Sequence, residues 1–302
     1  MRHARDERGQ AIVLTVVFLT VLIGLAAAVL DVGAWFRLQR QLQTTADASA
    51  LAGAHALPDN PSGGISLALQ YGTKNGGGVS SSGIALSQTE VADDTIAVKA
   101  EKPAKGILAS LFDIDSVSVV ARATARSGVP GEARWAAPII VDEKHPLISG
   151  PGCPCFDQET ELDFEKVGPG AFRLVNLDDS KGGTGPADLA IWINQGFDGY
   201  MPLQWYYSDP GYKPSSSHVK NALTSRIGDE LLFPVYRGTR AQGAGFEYEV
   251  IGWIGFLLTD HDIRGSNTGK LYGSFTQVIW EGILSESSEG EDFGVRTLEL
   301  IE

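Results

Sequence analysis

The strongest constraint on this chain is a run of twenty residues without a charged side chain, Ala11–Leu30, held between Arg8 and Asp31. A run of that length crosses a hydrocarbon core of about 30 Å as one helix. Helix-compatible chemistry then continues past Asp31, through Arg37, Leu38, Arg40, Leu42, Ala46, Ala50 and Leu51 to Leu57, and the first proline is Pro58. Unbroken from Ala11 to Leu57, such a helix is about 70 Å long. About half of it would stand outside the membrane as an alanine-rich stem. The turn cluster Pro58–Gly64 ends it.

Three basic residues (Arg2, Arg5, Arg8) precede the apolar run and two (Arg37, Arg40) follow it. That asymmetry places the short tail in the cytoplasm and the body of the chain outside. The competing reading is a cleavable signal peptide with Ala26-Ala27-Ala28 as its small-residue cleavage site. An attached stem argues for the anchor. Asp31 is costly if it lies within the membrane edge, where it would pair with a basic group on a neighbouring subunit; the alternative is the outer interface, with Trp35 beside it as an aromatic anchor. Ala46, Ala50, Gly53 and Ala54 fall near helical spacing and form a face of small side chains that another backbone can approach closely. That face packs either on the chain's own sheet or on another subunit.

Beyond the stem, residues 65–74 suit a short amphipathic helix, and Gly78–Gly83 reads as a loop. Ile84–Val91 and Thr95–Ala100 are strand-like, Ile107–Phe112 suits a short helix, and Val117–Arg126 alternates apolar and mostly polar residues as a strand. Gly128–Gly131 looks like a linker. From Trp135 onward the composition changes, and all but one of the six tryptophans lie there. Residues 188–195 and a segment from Ser215 to Arg226 have helical spacing. Leu231–Tyr236, Phe246–Leu258, Lys270–Leu284 and Val295–Ile301 read as strands, with Pro234 placing the first of these at a sheet edge. The fold class is therefore α+β. A long transmembrane and stem helix packs on a small antiparallel sheet, and a second, mainly antiparallel α+β domain follows. The segments are a cytoplasmic tail at 1–10, the helix at 11–57, a first α+β domain at 58–127, a linker at 128–134 and the extracytoplasmic domain at 135–302.

The formal charge is −13, and residues 1–57 hold five basic and four acidic side chains, so the remainder is the acidic part. An acidic exterior repels nucleic acid, which argues against a DNA or RNA partner. Nucleotide-binding and hydrolase signatures are missing: there is no GxxxxGK[ST], no GxGxxG after a strand and no GxSxG. No catalytic residue, cofactor, metal site or small-molecule substrate is expected. Cys153 and Cys155, the only cysteines, form a candidate disulfide, with an intermolecular bond or a redox role as alternatives. Asp260-His261-Asp262 reads as a solvated turn, and Asp178-Asp179 before Gly182-Gly183 as at most a loose calcium loop. Trp192–Tyr212 is rich in aromatic residues and is either core or a ligand surface.

The order of pieces in the first segment is specific. Arg8-Gly9-Gln10 precedes the apolar run, Leu30-Asp31-Val32-Gly33 closes it, and then come Arg37-Leu38-Gln39-Arg40-Gln41-Leu42-Gln43 and Ala46-Asp47-Ala48-Ser49-Ala50-Leu51-Ala52-Gly53-Ala54. This arrangement resembles the TadE/TadG-like family of tight-adherence (Tad, or Flp) pilus-assembly proteins. The resemblance covers residues 8–127 and, more loosely, the remainder. It implies a pilin-like first domain and a non-enzymatic, single-pass, minor-pilin-like component of the bacterial inner membrane. The implied partners are membrane lipid and other pilus-assembly or pilin subunits, met through the amino-terminal helix. Many pilin precursors are cut after a glycine with Glu at the fifth mature position; here Gly9 is followed at that position by Leu14, so the tail is expected to stay on. The alternative reading is a membrane-tethered extracytoplasmic module that binds a cell-surface or glycan ligand outside any pilus.

Overall fold

The computed structural model describes residues 7–106, 108, 110, 115–164, 167, 171–264, 268–285 and 290–301. The chain forms two compact units, residues 1–126 with 300–302 and residues 127–299. The class is α+β in both, with a long amino-terminal apolar helix and antiparallel sheets.

In the first unit, helix α1 spans Glu7–Ala54 without a break and helix α2 spans Pro61–Lys74. The side chain of Asn60 caps α2 by accepting the Gly63 N–H at 2.9 Å, and Pro61 takes the first helical position, where no N–H is needed. Glycines read in the sequence as part of a turn thus lie in the first turn of a helix. Strands β1 (Val79–Ser87), β2 (Thr95–Ala104) and β3 (Val117–Gly128) follow as an antiparallel ladder. The expected loop at 78–83 is a correction: Val79 opens β1, which is irregular between Val79 and Ile84. An edge strand with a solvated outer face tolerates serine and glycine at such a bulge. Alternation carries the ladder: Ile96, Val98 and Ala100 of β2 and Val119, Ala121, Ala123 and Ala125 of β3 are buried. The short helix expected at 107–112 lies largely outside the described residues.

The second unit begins where a linker was expected. Instead, β4 (Pro130–Ala133) pairs with β8 (Met201–Pro202) and β14 (Gly282–Leu284). The larger sheet runs β5 (Val141–Asp142), β10 (Glu230–Arg240), β11 (Glu247–Arg264), β12 (Thr268–Thr276) and β6 (Glu159–Asp163). Strand β9 (Trp205–Pro210) pairs with β11 and with β7 (Ala171–Val175), and β13 (Val278–Ile279) pairs parallel to β15 (Val295–Ile301). Among the described residues, three α-helices, α3 (Pro146–Ser149), α4 (Pro186–Gln195) and α5 (Ser217–Ser225), and a short 3-10 turn at Gly243–Gly245 complete the unit. The cap of α5 is Ser216, one residue past the Ser215 at which the helical spacing begins, and its hydroxyl accepts the Val219 N–H at 3.2 Å.

The apolar run in β11 is nearly continuous because both faces of the sheet are covered. Phe233 and Val235 with Ile254 and Phe256 pack into one core, beneath Leu189 and Ile193 of α4 and Val219 and Leu223 of α5. Leu232 and Tyr236 with Tyr248, Val250 and Trp253 pack into the other. Pro234 lies beside the short strand β5. The Leu232 carbonyl accepts the Ala137 N–H, so Leu232 and Pro234, two residues apart, both turn their backbone polar groups away from β11. The missing proline donor therefore costs no bond to β11.

Candidate membrane and assembly helix

Helix α1 changes character along its length. From Ile12 to Leu30 its large apolar side chains face outward, with Phe18 65% and Leu30 58% exposed. Among the described residues it is the one helix long and apolar enough to cross a membrane. From Leu42 to the helix end a stripe at helical spacing is buried, Leu42, Thr45, Ala46, Ser49, Ala50, Gly53 and Ala54, and Leu57 in the turn that follows is buried too. Every polar member of the stripe is satisfied locally. Thr45 Oγ1 donates to the carbonyl of Gln41 or Asn75, and Ser49 Oγ donates to the Thr45 carbonyl at 2.6 Å.

Ala46, Ala50, Gly53 and Ala54 all lie on this buried stripe, and the surface that covers them belongs to the same chain. At Gly53 a Cβ would come within 2.6 Å of Ile96 Cδ1, 3.1 Å of the Gly64 carbonyl oxygen and 3.2 Å of Ala68 Cβ. Reciprocally, a Cβ at Gly64 would meet the Gly53 carbonyl oxygen at 2.9 Å. The small side chains thus bring α1 and α2 to near backbone contact over β2. The sequence named one side of this crossing and missed the other. The Asn60-Pro61 pair, a cap followed by a first-turn proline, was the signal for it.

Asp31 sits where the exposed apolar stretch gives way to the stem. It is 4% exposed, and its Oδ2 accepts the Leu108 N–H at 2.7 Å. A buried carboxylate needs such donors. No sequence signal links two residues so far apart in the chain. Leu30, Asp31, Ala34, Arg37, Lys105 and Asp115 line a cavity of about 790 Å³ beside it. Trp35, one turn along, is half-buried. Further out, Gln43 Nε2 donates to the Arg122 carbonyl at 2.9 Å and ties the stem to β3.

Asp94, at the start of the ladder, is an acid held by several donors. Its carboxylate accepts the N–H groups of Thr89, Glu90 and Val91 and the Thr95 hydroxyl at 2.7–3.0 Å. Burial pushes its pKa up, but these donors outweigh burial and hold it below the usual carboxylate range.

In the second unit the two cysteine sulfurs are bonded to each other. Asp260-His261-Asp262 is not a turn but part of β11, paired with Tyr272, Leu271 and Lys270 of β12. His261 Nε2 and the Thr224 hydroxyl are 2.8 Å apart. Asp178 Oδ1 accepts the Ser180 N–H in a tight turn. Among the described residues no group of three or more His, Cys, Asp or Glu side chains is arranged to hold a metal ion. The aromatic stretch 192–212 divides: Tyr206 is core and donates its hydroxyl to the Pro202 carbonyl, whereas Tyr200 is exposed.

No curated protein and no solved structure matches the chain. The wider resemblance expected over residues 57–127 and the second unit lies outside the family match. The apolar helix and its packed stem, residues 9–56, match the family model described as "Putative Flp pilus-assembly TadE/G-like", the family this segment resembles in sequence.

Proposed function

We propose that this protein is a single-pass, minor-pilin-like component of a Tad/Flp pilus-assembly or secretion system of the bacterial inner membrane. It has no catalytic activity of its own. One observation carries the reading: the segment that matches the pilus-assembly family is a single helix whose first half is apolar and exposed and whose second half is packed as a stem. Residues 11–30 span the bilayer, with the tail in the cytoplasm and the main body outside. Because the small-residue stripe of the stem is covered by α2 and β2, lateral partners meet the protein through the outward-facing side chains of the apolar half. Van der Waals packing against other such helices supplies that contact.

The test is genetic and structural together. Deleting the gene should abolish or shorten Flp pili, and the intact chain should restore them. A chain carrying Val21→Lys, which puts a charge in the middle of the apolar run, should fail to restore them. Normal piliation without the protein, or full rescue by the charged variant, would remove the assembly role.

A further inference from the structure

The second unit carries a pocket that the anchor and stem do not use. Trp135, Trp192 and Trp280, half of the chain's tryptophans, line one cavity of about 230 Å³ together with Gln195, Arg226 and Leu231. That volume is just under the roughly 300 Å³ at which drug-sized sites begin, and fits one small ring.

Two of the three indoles are held by fixed partners. Trp135 Nε1 donates to Glu281 Oε2 at 2.9 Å, and the Arg134 guanidinium lies 4.3 Å from its ring centre. Trp280 Nε1 donates to the Arg134 carbonyl at 2.7 Å. Arg134 is itself bonded to Asp198 and Glu281, and Tyr200 donates to Glu281 at 3.2 Å. The Trp135 backbone is at φ +62°, a conformation that side chains rarely adopt. It persists because the Trp135 N–H donates to the Phe197 carbonyl and because Gly196 presses on the Trp135 backbone, where a Cβ would come within 2.4 Å. Strain held by its surroundings in this way clusters at ligand sites.

The pocket's chemistry narrows the ligand. No carboxylate lines it, so it offers nothing to a metal ion. Indole faces attract an ammonium group, but the Arg226 guanidinium in the lining repels one, and the Arg134 guanidinium already lies against the Trp135 ring. Its one cation, Arg226, already donates to the carbonyls of Asn194 and Glu230, which leaves little for a phosphate. What remains is indole surface and the side chain of Gln195, an exposed residue of the lining. A neutral ring with an apolar C–H face and hydroxyls at its rim matches both. We infer that the pocket lined by Trp135, Trp192 and Trp280 binds a single pyranose unit of a surface glycan, stacked on indole and hydrogen-bonded to Gln195.

The proposal goes beyond the pilus reading and stands or falls separately from it. The experiment is saturation-transfer NMR on the full chain, in a detergent without a sugar headgroup. The probes are the methyl glycosides of glucose, mannose and galactose, N-acetylglucosamine and a proline-rich peptide. At least one sugar should receive saturation at its ring C–H protons at millimolar concentration. Gln195→Ala, an exposed change that leaves the fold alone, should weaken binding several-fold, and Trp192→Ala should weaken it at least tenfold. Silence from every sugar, binding of the peptide alone, or sugar binding unaffected by both variants would overturn it.

Discussion

Substituting Gly53 tests the packing of the stem most sharply. The first side-chain carbon placed there meets Ile96 Cδ1 at 2.6 Å, a flexible methyl that can move, but also the backbone oxygen of Gly64 at 3.1 Å, which cannot move alone. Helix propensity by itself favours alanine or leucine over glycine by roughly 1 kcal/mol. Overpacking a core costs about 1–3 kcal/mol. For Gly53→Ala the two terms nearly offset, and a small net loss is expected. For Gly53→Leu three more carbons enter a site already closed by Ala68, the propensity gain is unchanged, and the net loss should be about 2 kcal/mol or more. Gly33→Ala is the control, because nothing lies within 4 Å of its Cβ position. The assay is urea unfolding of the full chain in micelles, followed by circular dichroism. A Gly53→Leu protein within about 0.5 kcal/mol of the parent, the range of an ordinary surface change, would refute the close crossing of α1 and α2.

Three further outcomes follow from the same geometry. Asp94→Ala strands three backbone donors and should cost about 3 kcal/mol in the same unfolding assay. Because the folded pKa of Asp94 is depressed, its stabilisation is present at neutral pH and is lost as pH falls below about 4, so the variant should show a shallower acid loss than the parent. Lys213→Met removes the one charged partner that Asp209, fully buried, has among the described residues; burial already raises the Asp209 pKa, and the change should cost about 3 kcal/mol at neutral pH. That deficit should shrink in acid, where protonation removes the buried charge. Val21→Lys places a cation at the centre of the apolar run and should disfavour insertion by about 3 kcal/mol, read as loss of the protein from the carbonate-resistant membrane fraction.

The amino-terminal half of the fold was legible because its signals are periodic. Twenty uncharged residues, then small residues at helical spacing, then the alternation of Val119, Ala121, Ala123 and Ala125, each leave only one arrangement that buries the apolar face. What was missed depends on partners far away in sequence. Nothing local announces that Asp31 takes its proton donor from Leu108, or that Gly64 of α2 is what the Gly53 face needs. The segment 128–134 looked like a linker because glycine and proline are common there. Its pairing is set by Glu132 and Ala133 meeting Met201, Pro202, Gly282 and Ile283, which no short window contains. In Asp260-His261-Asp262 the charges masked a strand whose side chains lie at the solvated end of a long hairpin. The tryptophan pocket draws on Trp135, Trp192 and Trp280, and of these only Trp192 lies in the aromatic stretch that the sequence singled out.

The central claim is that residues 11–30 anchor an intact chain in the membrane for pilus assembly. Its most direct test is the intact mass and the cell fraction of the native protein, in cells with and without the pilus machinery. Full-length mass in the membrane fraction in both is the predicted result. A chain lacking residues through about Ala28 and released to the medium would contradict it.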